Sequence, residues 1–148
     1  EYPVWSKNKL TCHVHNQDIN ELIKDLPNDL DLIYLDPPYT GTMNDYYSFY
    51  GLIDNYILSK KIKRFKNDFI DRNEVLRNFD KLFSSLKKFK YWYLSYNNQS
   101  YPTSNQLLKI LKKYSNNIKL IKKKHVYKIT GKNKKQTNTE YLFIVKYG

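Results

Sequence analysis

The 148-residue sequence predicts an α/β fold, and three observations carry that prediction. Leu30 to Leu35 is an almost unbroken apolar run, the pattern of a central parallel strand covered on both faces. Helical stripes flank it, at Ile19, Leu22, Ile23 and Leu26 and again at Val75, Leu76, Phe79, Leu82, Phe83 and Leu86. Two extended stretches near the carboxyl end, parted by a polar turn, read as an antiparallel hairpin. The order β-α-β-α-β-α-β-β implies one domain over residues 1–148, its sheet mostly parallel with an antiparallel carboxyl-terminal hairpin.

Each element has its local reason. Residues 9–15, KLTCHVH, alternate with the period of a strand. Asp18 opens the first helix and Pro27 stops it. Residues 40–50 are loop-like, with Gly, Thr, Asn, Asp and Ser among aromatics, and residues 51–66 are weakly helical and increasingly basic. A clearer helix runs from about Arg72 to Phe89. Lys90 to Ser95 is an aromatic-rich strand ending in the turn Tyr96-Asn97-Asn98. Thr103 or Ser104 caps a helix through Leu107, Leu108, Ile110 and Leu111. The hairpin pairs a basic strand, Ile118 to Ile129, with Glu140 to Lys146 across the turn Thr130 to Asn138.

Composition bounds the function. Apolar residues make up 41% of the chain, enough for a core, and no apolar run approaches the ~20 residues of a membrane span. Cys12 is the single cysteine, so an intramolecular disulfide is excluded and a reducing cytoplasm is expected. A formal charge of +12 points to a polyanion such as nucleic acid, and 16% aromatic residues offer stacking surfaces. That charge is discounted, because Lys, Asn, Ile and Tyr are abundant together, the bias of an AT-rich genome. The four glycines, Gly41, Gly51, Gly131 and Gly148, form no G-x-G cluster, so no phosphate-cradling loop is encoded.

The most informative stretch is the strand end Leu35-Asp36-Pro37-Pro38-Tyr39. In open α/β sheets ligands sit outside the carboxyl ends of strands, where Asp36 falls. Pro37 and Pro38 contribute carbonyl oxygens but no N–H, and an ionised Asp only accepts. Such a site receives N–H groups, with Tyr39 adding a flat face. The exocyclic amine of adenine suits it. Acceptors aimed at both amine hydrogens draw the nitrogen toward a tetrahedral shape and stabilise the positive charge that grows as it attacks an electrophile. Tyr39 stacking would hold the ring in line. The plainer alternative is a strand breaker with Tyr39 in a core.

Asp36-Pro37-Pro38-Tyr39 resembles the catalytic motif of the S-adenosylmethionine-dependent amino methyltransferases, chiefly the DNA adenine methyltransferases. The resemblance implies that Asp36 and the Pro37 carbonyl hold the target amine, with Pro38 in the same motif, and that Tyr39 stacks on a base flipped from double-stranded DNA. Asn16-Gln17-Asp18-Ile19 is similar to the stretch whose acidic residue accepts from the cofactor's adenine, which implies Asp18 and Ile19, with Asp36, beside S-adenosylmethionine. Ser95-Tyr96-Asn97-Asn98 resembles the motif that shapes the target pocket. Glu140-Tyr141-Leu142-Phe143-Ile144 resembles the closing strand of the catalytic domain. Tyr127 lies where the family places a residue beside the target base. The implied fold is the carboxyl-terminal part of a Rossmann-like methyltransferase sheet, and the implied setting is cytoplasmic restriction-modification.

The family's glycine-rich cofactor loop and its target-recognition region have no counterpart here. The chain is therefore expected to be the carboxyl-terminal portion of a longer enzyme, one half of a split enzyme completed by a partner subunit, or a remnant. The family's strand order implies that the Asp36 strand has an unpaired edge. Rival readings are methylation of a cytosine amine or an RNA base, and a non-catalytic nucleic-acid-binding subunit of a restriction-modification system. A metal site is not expected, since Cys12 and the pair His13 and His15 would point to opposite faces of a strand. The aromatic run from Asn44 to Tyr50 either closes over a base or packs on its own core. The basic run Lys60 to Lys66 and the turn Gly131 to Gln136 either contact phosphates or are solvated.

Overall fold

A computed structural model describes residues 12–38, 46–61, 69, 71–126 and 137–148. The described elements are α1 (Ile19–Asp25), β1 (Leu32–Leu35), α2 (Tyr46–Ile57), α3 (Val75–Ser85), β2 (Tyr91–Asn97), α4 (Ser104–Leu111), β3 (Asn117–Val126) and β4 (Thr137–Lys146). A single 3-10 turn, Leu86–Lys88, follows α3. The strands form one sheet in the order β1-β2-β4-β3. β1 runs parallel to β2, while β2 with β4 and β3 with β4 are antiparallel.

The expectation of a mostly parallel sheet is therefore corrected. β4 returns between β2 and β3, so two of the three pairings are antiparallel. β1 is an edge strand and not a central one: its burial alternates, with Leu32 and Tyr34 exposed, Ile33 half-buried and Leu35 buried. Among the described residues no strand lies on its outer side. The strand predicted over residues 9–15 is not found at 12–15, which are exposed and irregular. A strand needs a neighbour for its hydrogen-bond ladder, and no described strand lies beside this segment. Residues 9–11 lie outside the described set.

Helices form where the residue pattern and caps agree. Asp18 caps α1, its Oδ1 accepting from Asn20 N at 2.8 Å. α3 starts later than predicted, because residues 72–74 form a turn on Asp71, whose carbonyl accepts from Glu74 N and Val75 N. Thr103, not Ser104, caps α4 in a capping box: Gln106 N donates to its Oγ1 and Thr103 N to Gln106 Oε1. Residues 46–50, expected as loop, belong to α2. Tyr and Phe do not break helices, and of the turn-forming residues of the stretch 40–50 Gly41, Asn44 and Asp45 precede Tyr46, with Ser48 alone inside the helix.

The core lies on one face of the sheet. Val75, Phe79, Leu82 and Phe83 of α3 and Leu107 and Leu111 of α4 meet Trp92, Leu94 and Tyr96 of β2 and Phe143 and Val145 of β4. Each large apolar side chain buried there contributes about 1.5–3 kcal/mol. Trp92 stacks on Tyr147 at 5.5 Å between centroids, and its indole N–H donates to Phe89 O at 2.9 Å, so no donor is lost by burial. On the opposite face the register aligns Leu32 with Tyr91, Tyr34 with Tyr93 and Ile144, and Leu142 with Ile121. None of these is buried. No helix among the described residues is long and apolar enough to cross a membrane.

Candidate active site

Strand direction decides what gathers around Asp36. β1 and β2 are parallel with Leu35 opposite Leu94, so Asp36 emerges at the level of Ser95. Leu35 is buried and anchors the strand end, whereas Asp36 is exposed and Pro37 and Pro38 are half-buried. The carboxyl ends of two neighbouring strands thus bring Asp36, Pro37 and Pro38 beside Ser95 and Asn97. Tyr39 and Tyr127, the two expected stacking residues, lie outside the described residues, as do the turn 131–136 and residues 62–66 of the basic run.

Asn97 and Tyr96 build this end in different ways. Asn97 Oδ1 accepts from Gln99 N at 2.9 Å and from Ser100 Oγ at 2.7 Å, closing the chain as it leaves β2. Only 8% of Asn97 is exposed, so these bonds hold a buried polar group. The expected turn at Tyr96-Asn97-Asn98 begins two residues later than predicted, because both Tyr96 and Asn97 continue the strand. Tyr96 shares the core face with Trp92 and Leu94, is 1% exposed, and meets Phe79 edge-to-face at 6.2 Å. Its ring stands behind the site as support and not on the surface. Ser95 faces the other way and is half-buried.

The cofactor-side candidates sit on α1. Asp18 is exposed at the helix N-cap, and its bonds from Asn20 N and Nδ2 both fall on Oδ1. As an exposed carboxylate, Asp18 only accepts hydrogen bonds, which suits an adenine amine. Ile19 is half-buried and packs on the core. The residues present therefore fit the adenine end of S-adenosylmethionine, while no described element supplies a glycine loop for its methionine end. Among the described residues no group of three or more His, Cys, Asp or Glu side chains is placed to hold a metal ion. Cys12, His13 and His15 are exposed.

Antiparallel pairing adds residues that the sequence did not single out. Glu140 of β4 lies opposite both Asn97 and Lys123, so a carboxylate and a lysine of the basic strand reach the same end of the sheet. The visible signal was the basic run Lys122-Lys123-Lys124, whose partners depend on the hairpin register. The second residue missed is Lys88, whose Nζ donates to the carbonyls of Ile23 and Leu26, the latter at 2.7 Å. No sequence pattern announces a contact 62 residues away.

A separate polar cluster joins α3 to α4. Lys113 Nζ and Tyr114 Oη donate to Asp80 at 2.9 and 2.7 Å, and these bonds, the lysine's first, hold the Asp80 carboxyl below its ordinary range. Burial, and then the bond to Asp80, push Tyr114 up to about 12. A cleft of ≈ 410 Å³ between these helices is lined by Leu76, Arg77, Asp80, Gln106, Lys109, Ile110 and Lys113. None of these residues belongs to the strand ends, so the cleft is distinct from the Asp36 site.

Over residues 2–129 the chain matches the family described as D12 class N6 adenine-specific DNA methyltransferase. That span contains Asp18, Asp36 to Tyr39, Ser95 to Asn97 and Tyr127. The chain is also similar to the Type II methyltransferase M2.HphI of Haemophilus parahaemolyticus, with 46% identity over 131 residues. That alignment covers 88% of this chain and 38% of the relative, so the chain spans well under half the relative's length. No solved structure matches it.

Proposed function

Because the chain belongs to the D12 class N6 adenine-specific DNA methyltransferases, we propose that it carries the amine-holding half of an enzyme that methylates the exocyclic amine of adenine in DNA. The observation that carries this reading is the placement of Asp36, Pro37 and Pro38 at the carboxyl end of β1, beside the end of β2. The Asp36 carboxylate and the Pro37 carbonyl accept the two amine hydrogens. The nitrogen lone pair is thereby freed from the ring, and the charge that develops on nitrogen is met by fixed acceptors. Pro38 cannot donate, so no backbone N–H there competes for Asp36. Tyr39 stacks on the flipped base, with Tyr127 as the second stacking partner.

S-adenosylmethionine, when bound, supplies the electrophilic methyl group. Asp18 and Ile19 hold its adenine end. Ser95 and Asn97 shape the floor of the target pocket, with Tyr96 packed beneath. Double-stranded DNA is the partner, and the basic strand β3, with Lys122, Lys123 and Lys124 exposed near the site, offers charge to its phosphates. The likeness to a type II methyltransferase extends this reading to a restriction-modification setting.

Asp36→Ala in the complete enzyme is expected to lower methyl transfer by about 10²-fold or more, the scale of losing a group that stabilises developing charge. Digestion of the DNA product to nucleosides and mass analysis should show N6-methyladenine with the wild type and none with the variant. Near wild-type transfer by Asp36→Ala would refute the mechanism. Methylated cytosine in place of methylated adenine would reassign the target.

A further inference from the structure

Pro27 ends α1, and in doing so it strands a carbonyl. The oxygen of Ile23 would accept from the N–H four residues on, but that residue is Pro27, which has none. Lys88, at the end of the 3-10 turn, fills the gap: its ammonium donates to Ile23 O and also to Leu26 O at 2.7 Å. A cation on the last carbonyls of a helix also complements its macrodipole.

We propose that Lys88 is a positioning residue for the cofactor end of the site, pinning α1 so that Asp18 at its other end is held in place. The proposal rests on the reading of Asp18 given under Proposed function. α1 has seven residues, far below the ~12–15 at which an isolated helix becomes marginally stable in water, so its position must come from outside. Ile23 is its buried residue, with Ile19 and Leu26 partly buried against the core. Apolar burial is non-directional and leaves sliding and rolling about Ile23 weakly resisted. Lys88 supplies the directional contact.

Its location makes the contact consequential. Lys88 lies three residues before β2, and Tyr91 N at the start of β2 donates to Asp31 O just ahead of β1 at 2.9 Å. The carboxyl end of α1 is thus tied to the amino ends of the same two strands whose carboxyl ends carry Asp36 and Asn97. Through this frame Lys88 fixes where α1, and with it Asp18, sits relative to the sheet, whereas Asp36 is placed by the ladder of β1 with β2.

The test compares Lys88→Met, which keeps the apolar stem, and Lys88→Arg, which keeps a charged donor, with wild type in the complete enzyme. Calorimetry with S-adenosylmethionine, steady-state kinetics and hydrogen exchange of the α1 amides are measured together. With Lys88→Met the cofactor Kd and KM should rise about three- to tenfold, the effect of losing one charged contact at a helix terminus. The turnover number should stay unchanged, α1 amides should exchange faster, and those of β2 and α4 should not. Lys88→Arg should restore Kd, KM and α1 exchange. Faster α1 exchange with unaltered cofactor affinity would show a purely structural lysine and overturn the proposal. Unaltered α1 exchange would overturn it by removing the tether. If wild type keeps α1 protected yet binds no cofactor, the Asp18 reading fails and the proposal falls with it. Should Lys88→Met not fold, Lys88→Gln carries the same comparison.

Discussion

At the scale of single residues, the proposed site sets groups that would touch a target apart from groups that hold the chain still around them. Asp36 and the two prolines were legible because their chemistry is local: an acceptor followed by residues without N–H needs no tertiary context to be understood. Asn97 is different. Its Oδ1 takes both the Gln99 N–H and the Ser100 hydroxyl, so Asn97→Ala strands two donors in a nearly buried place. We expect a loss of about 1–3 kcal/mol in chemical denaturation, with Asn97→Asp, which keeps the acceptor, losing less. Equal stability of Asn97→Ala and wild type would remove the turn-closing role. Tyr96 shows how a two-residue error at a strand end propagates. Ending the strand at Ser95 left Tyr96 free for the pocket, whereas continuing the alternation from Trp92 and Leu94 places it in the core.

At the scale of elements, α3 and α4 are joined by a contact that titrates. Asp80 is partly exposed, so its pairing with Lys113 is screened and amounts to a fraction of a typical buried pair. Its carboxyl is lowered in the fold, so the stabilisation is complete above the ordinary Asp value and is lost as pH falls through the lowered one. Tyr114 is raised to about 12, so its contribution is complete below the ordinary tyrosine value of 10.0 and is lost as pH rises from there through about 12. Tyr114→Phe should flatten the alkaline loss of stability, and Asp80→Asn the acid loss. Thermal melts across pH check both, and unchanged profiles would sever the link. The start of α2, residues 46–50, was expected as loop from its composition, whereas 51–57 fall in the stretch expected to be weakly helical, and the helix tolerates Ser48 and Gly51 inside it.

At the scale of the whole molecule, the described residues cover the sheet on one face and leave the other open. Leu32 and Tyr34 stand 48% and 59% exposed on an edge strand whose outer side has no described neighbour, and Ile121 adds 41% across the sheet. An apolar face and a strand edge with no cover among the described residues favour association. The 148-residue chain should therefore self-associate with rising concentration, and Tyr34→Lys should shift it toward monomer in sedimentation velocity. An unchanged distribution would show that this face does not mediate association. The same openness explains why β1 was read as central. Its apolar run is that of a two-face-covered strand, and only the strand order shows that the described residues leave one face and one edge unoccupied.

The sequence by itself determined that a strand ends at Asp36 and two prolines, the amphipathic faces of α1, α3 and α4, and the hairpin, because each is written in residue order or in a short period. Tertiary structure alone decided that β4 lies between β2 and β3, that Glu140 meets Asn97, and that Lys88 reaches the carbonyls left by Pro27. Those pairings join residues tens of positions apart, and they are set by register and packing, which no local pattern encodes.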